Sequence, residues 1–120
     1  VLHTTSATAS GGRNGQTRSV DGVVDVALSV PKSMGGPGKP GTTTPEDLFA
    51  AGYAACFGSA AEFMGRQLKL IPASLSVHCE VGIGALAAGG FGLVVKLTAT
   101  VGGLPADEAE RLIAAAHAVC

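Results

Sequence analysis

With 120 residues, 47% of them hydrophobic, no Trp and a formal net charge of −1, the chain fits one globular domain with a modest core. Eight basic residues against nine acidic ones, with no basic block, exclude the electrostatic footprint of a nucleic-acid or anionic-membrane binder. Small molecules and protein partners remain, and three cysteines that cannot all pair within one chain point to a reducing cytoplasm.

In chain order, the Thr-rich residues 3–10 read as a strand, joined by the turn at residues 11–15 to a second strand over residues 16–20. Asp21-Gly22 is a hairpin-turn signal. After it, Val24, Val26, Leu28 and Val30 alternate with Asp25, Ala27 and Ser29, the period of two of a half-buried strand. These pieces predict an antiparallel meander. Residues 35–41 hold too much Gly and Pro for either regular element and read as a loop.

The central helix has a clear start. Thr44 is suited to cap it, Pro45 fits the first helical position, and Glu46 and Asp47 place negative charge where the helix dipole favours it. It is expected to run to about Leu68. Its most apolar part, Leu48 to Met64, is interrupted by Glu62 and rich in Gly, Ala and Ser, so it reads as a buried helix rather than a membrane span. Beyond it, Leu75, Val77, Cys79, Val81 and Ile83 share one strand face, with Ser76, His78 and Glu80 on the other. Phe91, Leu93, Val95, Leu97 and Ala99 repeat the pattern after a glycine-rich connection, which makes a second hairpin. A last helix starts near Pro105, and its stripe of Leu112, Ile113, Ala116 and Cys120 predicts an inward Cys120. The fold class is α+β, with antiparallel sheets packed around a long central helix.

The residues alone leave the cysteines uncommitted. Cys79 sits between apolar same-face neighbours and reads as a small core hydrophobe. Cys56, among alanines on a helix, reads equally well as packing, and Cys120 by itself means little.

Taken together, residues 10–15 (SGGRNG), 44–57 (TPEDLFAAGYAACF), 89–93 (GGFGL) and 115–120 (AAHAVC) resemble the organic hydroperoxide resistance proteins of the OsmC-like superfamily. The likeness covers nearly the whole chain, read as one domain over residues 1–120. It implies a thiol-dependent peroxidase built as an intertwined homodimer. It further implies that Cys56 is the peroxidatic cysteine and Cys120 the resolving one, and that Arg13 and Glu46 are the polar pair supporting the thiolate. Similar proteins continue past the second cysteine with Pro-Tyr-Ser and a final strand, so a C-terminal strand is expected beyond Cys120.

The chemistry needs these residue types. A thiolate attacks the peroxide oxygen, releases an alcohol and is left as a sulfenic acid. A free thiol with a pKa of roughly 8.5 is only a few per cent ionised near neutrality, so a nearby cation is required. Arg13 can supply that charge without losing it, with Arg18 a competitor for the role, and Glu46 would hold the guanidinium bidentately. A second thiol then closes a disulfide that prevents overoxidation. No cofactor or metal is expected. The resemblance implies an external dithiol reductant, of the dihydrolipoamide or lipoylated-protein type. Phe57, Tyr53, Phe49 and Met34, with Phe63 and Leu48, are candidates to wall a pocket for alkyl or fatty-acyl hydroperoxides, and equally for plain core.

Glu46 and Cys56 lie ten residues apart, about 15 Å along one helix. They cannot meet within that helix, so an antiparallel pair of such helices across a twofold axis is expected to share the site between subunits. Ala51, Gly52, Ala54, Ala55, Gly58 and Ser59 would permit the close approach. Three rivals remain. A cysteine hydrolase would use His117 or His78 as base, without a triad signature. A metal module of His117, Cys120, His78 and Cys79 lacks a familiar spacing. A non-enzymatic OsmC-like binding or scaffold dimer would keep the fold with inert cysteines.

Overall fold

The structure is a computed structural model that describes residues 1–120. Its contacts divide the chain into two compact units, Val1–Leu48 and Phe49–Cys120.

The first unit holds a three-stranded antiparallel sheet in the order β1 (Ala7–Ser10), β2 (Gln16–Ser19) and β3 (Asp25–Ala27). The expected meander is there. A single 3-10 turn, Gly12–Asn14, joins β1 to β2. Between β2 and β3 the Asp21-Gly22 turn closes as its sequence signals, with Gly22 at φ 74° and Asp21 Oδ1 accepting from the Val23 N–H at 3.0 Å. The third strand differs from expectation: regular pairing stops at Ala27 instead of reaching Val30. The cause lies in β2, which begins at Gln16, so the chain beyond Ala27 meets the turn before β2 and not a strand. Leu28 donates there to the Gly15 carbonyl at 2.8 Å and forms a parallel bridge with Thr43. Leu28 and Ser29 are the buried residues of this unit. The Ser29 hydroxyl is satisfied by Thr42 Oγ1 and the Lys39 N–H, which pins the glycine- and proline-rich loop.

Helix α1, Pro45–Leu68, begins in this unit and continues into the second. Its start follows the sequence signals. Thr44 Oγ1 accepts from the Asp47 N–H at 3.1 Å while Asp47 Oδ2 accepts from the Thr44 N–H at 3.1 Å, a reciprocal cap that satisfies two otherwise orphaned donors.

In the second unit, β4 (Ser74–Ala85) and β5 (Phe91–Gly102) form an antiparallel ribbon followed by α2 (Ala106–Val119). The register places Leu75, Val77, Cys79, Val81 and Ile83 opposite Val101, Ala99, Leu97, Val95 and Leu93, so one ribbon face is continuously apolar. Its proximal part packs on Phe57 and Ala61 of α1 and Ala116 of α2, with Tyr53, Ala60 and Ile113 around them. Leu112 is fully buried. The distal residues Phe91, Leu93 and Val95 are exposed.

Two expectations are corrected here. Helix α1 is not buried all round: the 3.6-residue repeat brings Tyr53, Phe57, Ala60, Ala61 and Gly65 to the covered stripe, and leaves Ala51, Gly52, Ala55, Cys56, Ser59 and Phe63 exposed. Cys120 does not face inward either. It is exposed because it stands one residue past α2 as its C-cap, donating to the Ala116 carbonyl at 3.0 Å, beside a Cys56 that is itself exposed. No helix is long and apolar enough to cross a membrane.

Candidate active site

Arg13 rides on the 3-10 turn between β1 and β2. Gly11 and Gly12 enter that turn at φ 77° and 58°, and a Cβ at residue 15 would fall on the Ser10 carbonyl oxygen, so the turn needs its glycines. From it the guanidinium reaches Glu46 in the first turn of α1. Nη1 donates to Oε2 at 2.8 Å and Nη2 to Oε1 at 2.5 Å, the two-pronged geometry that a planar fork and a carboxylate share. The side chains are 32% and 14% exposed, so water screens the pair only in part. The hydrogen bonds from Arg13 hold the Glu46 carboxyl below its ordinary range, and those same bonds raise Arg13.

One backbone segment, Ala27–Val30, anchors both partners. On one side its Leu28 N–H donates to Gly15 O and its Val30 N–H to Asn14 Oδ1 at 3.0 Å, which ties down the turn that carries Arg13. On the other, Thr43 donates to the Ala27 carbonyl at 2.9 Å and accepts from the Ser29 N–H, which fixes the chain immediately before the Thr44 cap and Glu46. Arg18, the competing arginine, reaches Asp25 at 3.7 Å with both side chains mostly exposed.

The second unit holds the thiols. Cys56 is exposed on α1 and Cys120 exposed at the end of α2, near enough that the Cys56 side chain perturbs the Cys120 thiol. Local desolvation first, and then the neighbouring Cys56 side chain, push the Cys120 thiol up. Cys79 is half-buried in β4 opposite Leu97.

Of the candidate pocket residues, Phe57 packs in the core, and Phe49 stands edge-on to Tyr53 with ring centroids 5.8 Å apart. Met34 lies in the first unit and is exposed. Tyr53 and Phe57 also border an open apolar groove of about 980 Å³ with Leu97, Ala99, Ile113 and His117; neither Cys56 nor Cys120 lines it. His78 is on the opposite, polar ribbon face, 4.0 Å from Glu80. No group of three or more His, Cys, Asp or Glu side chains is placed to hold a metal ion. Asn14 and Thr43 support the pair without a sequence signature of that role: an Asn after the arginine and a Thr before the cap read as turn chemistry.

Comparison with known proteins gives these features a family. The sequence model of OsmC-like proteins matches residues 36–120. An organic hydroperoxide resistance protein from Xanthomonas axonopodis pv. citri is 48% identical over 121 aligned residues, covering 100% of this chain and 84% of that protein. The crystal structure of an organic hydroperoxide resistance protein from Legionella pneumophila superposes with a TM-score of 0.92 at 45% identity, covering 100% of this chain and 86% of that one. That of OhrB from Bacillus subtilis does so with a TM-score of 0.87 at 36% identity, covering 100% and 87%. Full-length similarity at this level, on an α+β fold with two antiparallel sheets, places the chain in the organic hydroperoxide resistance proteins of the OsmC-like family.

Proposed function

We propose that the protein is a two-cysteine peroxidase for organic hydroperoxides. The observation that carries this reading is that two free, exposed thiols, Cys56 on α1 and Cys120 at the end of α2, are near enough for one to perturb the other, in a chain of the organic hydroperoxide resistance family. A thiolate at Cys56 attacks the terminal oxygen of R–O–OH; the O–O bond breaks, the sulfur becomes a sulfenic acid, and the departing alkoxide takes a proton to leave as the alcohol. The Cys120 thiol then displaces hydroxide from that sulfur. A Cys56–Cys120 disulfide forms and water leaves.

In this reading Arg13 supplies the fixed positive charge that favours the thiolate, and Glu46 fixes the direction of the guanidinium while offsetting part of its field. The reductant is an external dithiol of lipoyl type, either dihydrolipoamide or a lipoylated protein, which returns both cysteines to thiols by exchange. Two chains related by a twofold axis pair along the exposed small-residue face of α1 and share their sites. The names of the relatives support the substrate class, and apolar Phe49 and Tyr53, on the turns of α1 before Cys56, suit an alkyl chain. The test is steady-state reduction of an alkyl hydroperoxide with dihydrolipoamide as electron donor. Turnover that is absent in Cys56→Ser is expected. Equal turnover in that variant would remove Cys56 from the reaction, and no turnover in the wild type would favour a binding or scaffold role.

A further inference from the structure

We propose that Asn14 is a positioning residue that sets the aim of Arg13. The inference deepens the function proposed above and rests on its reading of Arg13.

Few contacts hold the turn that carries Arg13. Gly12–Asn14 is one 3-10 turn, weakly closed by the Asn14 N–H on Gly11 O at 3.4 Å and the Gly15 N–H on Gly12 O at 3.2 Å. Two left-handed glycines form its entry, each lacking the Cβ that narrows backbone freedom. The Ser10–Gln16 pair of the β1–β2 ladder closes its base, and two further bonds tie it to the segment beyond β3. One is made at Gly15 O, which accepts from the Leu28 N–H at 2.8 Å; it holds the exit of the turn and not its apex. The other is made by the Asn14 side chain, whose Oδ1 accepts from the Val30 N–H at 3.0 Å across sixteen residues. Asn14 is adjacent to Arg13, so this is the external bond nearest the guanidinium's own backbone.

The same segment that receives Asn14 also receives Thr43, through Ala27 O and the Ser29 N–H, just before Glu46. Asn14 thus references the arginine to the frame that positions its carboxylate. Without that bond, the pair with Glu46 persists as an attraction but its bearing on anything beyond Glu46 is no longer fixed. A charge that must act on a thiolate loses its effect steeply with distance, since an opposite charge shifts an ionisation strongly only within about 4–6 Å. The acceptor is therefore needed at residue 14, and a side chain of the same length with an oxygen in the same place is expected to serve.

The experiment is the pH dependence of Cys56 alkylation by iodoacetamide, resolved from the other cysteines by mass spectrometry. It is run on the full chain in wild type, Arg13→Ala, Asn14→Ala, Asn14→Asp and the Arg13→Ala/Asn14→Ala double variant. Arg13→Ala is expected to move the profile to higher pH. Asn14→Ala should move it the same way by less, with alkylation roughly threefold slower at pH 7, about half a unit of displacement. Asn14→Asp should recover most of the loss, and the second substitution should add nothing once Arg13 is gone.

A shift from Arg13→Ala with none from Asn14→Ala overturns the role of Asn14 and leaves the proposed function standing. An Asn14→Ala effect as large in the Arg13→Ala background as in wild type also overturns it, because Asn14 would then act by another route. No shift from Arg13→Ala removes Arg13 from the thiol's environment, and Asn14 falls with it. Should Asn14→Ala not fold, Asn14→Gln, which displaces the oxygen by one methylene, takes its place with the same expectations.

Discussion

Arg13 and Glu46, 33 residues apart in the chain, are joined by two parallel hydrogen bonds of 2.8 and 2.5 Å, and both are anchored through one backbone segment, Ala27–Val30. The pair is built from a glycine turn and a helix start, two elements whose positions are fixed independently of the charges.

Because Arg13 holds the Glu46 carboxyl below its ordinary value of 4.5, the pair favours the folded state only while Glu46 is ionised. Its contribution is fully present above the unfolded carboxyl's range and is lost as pH falls through the lower, folded value. Glu46→Gln is expected to lower stability by about 1 kcal/mol at neutral pH. That difference should be constant down to about pH 5.5 and shrink below about pH 4.5. Thermal melts of wild type and variant across pH 3 to 8 check it.

Cys120 is raised by local desolvation first, then by polar and electrostatic interactions with the Cys56 side chain. Its alkylation rate should therefore still be climbing at a pH where an unperturbed thiol has levelled off. In Cys56→Ser the profile should move part of the way back, since two of the causes disappear and desolvation remains. A mass-spectrometric alkylation series from pH 7 to 11 reads both.

Thr44→Ala removes the hydroxyl that accepts from the Asp47 N–H and donates in turn to the Asp47 carboxylate. A loss of about 1 kcal/mol in urea unfolding is expected. Peroxide turnover should fall further than this stability loss explains, because Glu46 sits on the turn that the cap organises.

At the other end of α1 the chain doubles back, with the Leu70 N–H on Gly65 O at 2.9 Å and Lys69 in the left-handed region at φ 57°. A Cβ at residue 65 would stand 2.8 Å from the Leu70 carbonyl oxygen, and backbone cannot yield cheaply. Gly65→Ala is expected to cost about 1–3 kcal/mol. Lys69→Gly should stabilise by up to about 1 kcal/mol, as left-handed conformations favour glycine over residues with a Cβ. Urea midpoints of the two variants should move in opposite directions.

Much of the fold was legible because its signals are local. The Thr44-Pro45-Glu46-Asp47 start of α1, the alternation along β4 and the Asp21-Gly22 turn each state their structure within a few residues. What failed was non-local. Val24–Val30 alternates like a strand throughout, yet only pairing decides where a strand ends, and β2 gives Leu28 no ladder partner. Apolar composition marks α1 as buried and the α2 stripe marks Cys120 so, whereas burial depends on what covers a face, and small residues such as Ala51, Gly52 and Ala55 look apolar whether covered or not. At the site, Arg13 and Glu46 could be named from a resemblance across the chain. Asn14 could not, because an acceptor for Val30 sixteen residues later has no signature beyond a turn-forming residue.

The proposed peroxidase chemistry requires Cys56 and Cys120 to act as a redox pair. Free thiols should be counted before and after one equivalent of an alkyl hydroperoxide per chain, and any disulfide mapped by mass spectrometry. Loss of two thiols per chain with a Cys56–Cys120 link, and Cys79 still free, is the expected result. A folded, fully reduced sample that keeps all three thiols, or one that links Cys79 instead, would contradict it.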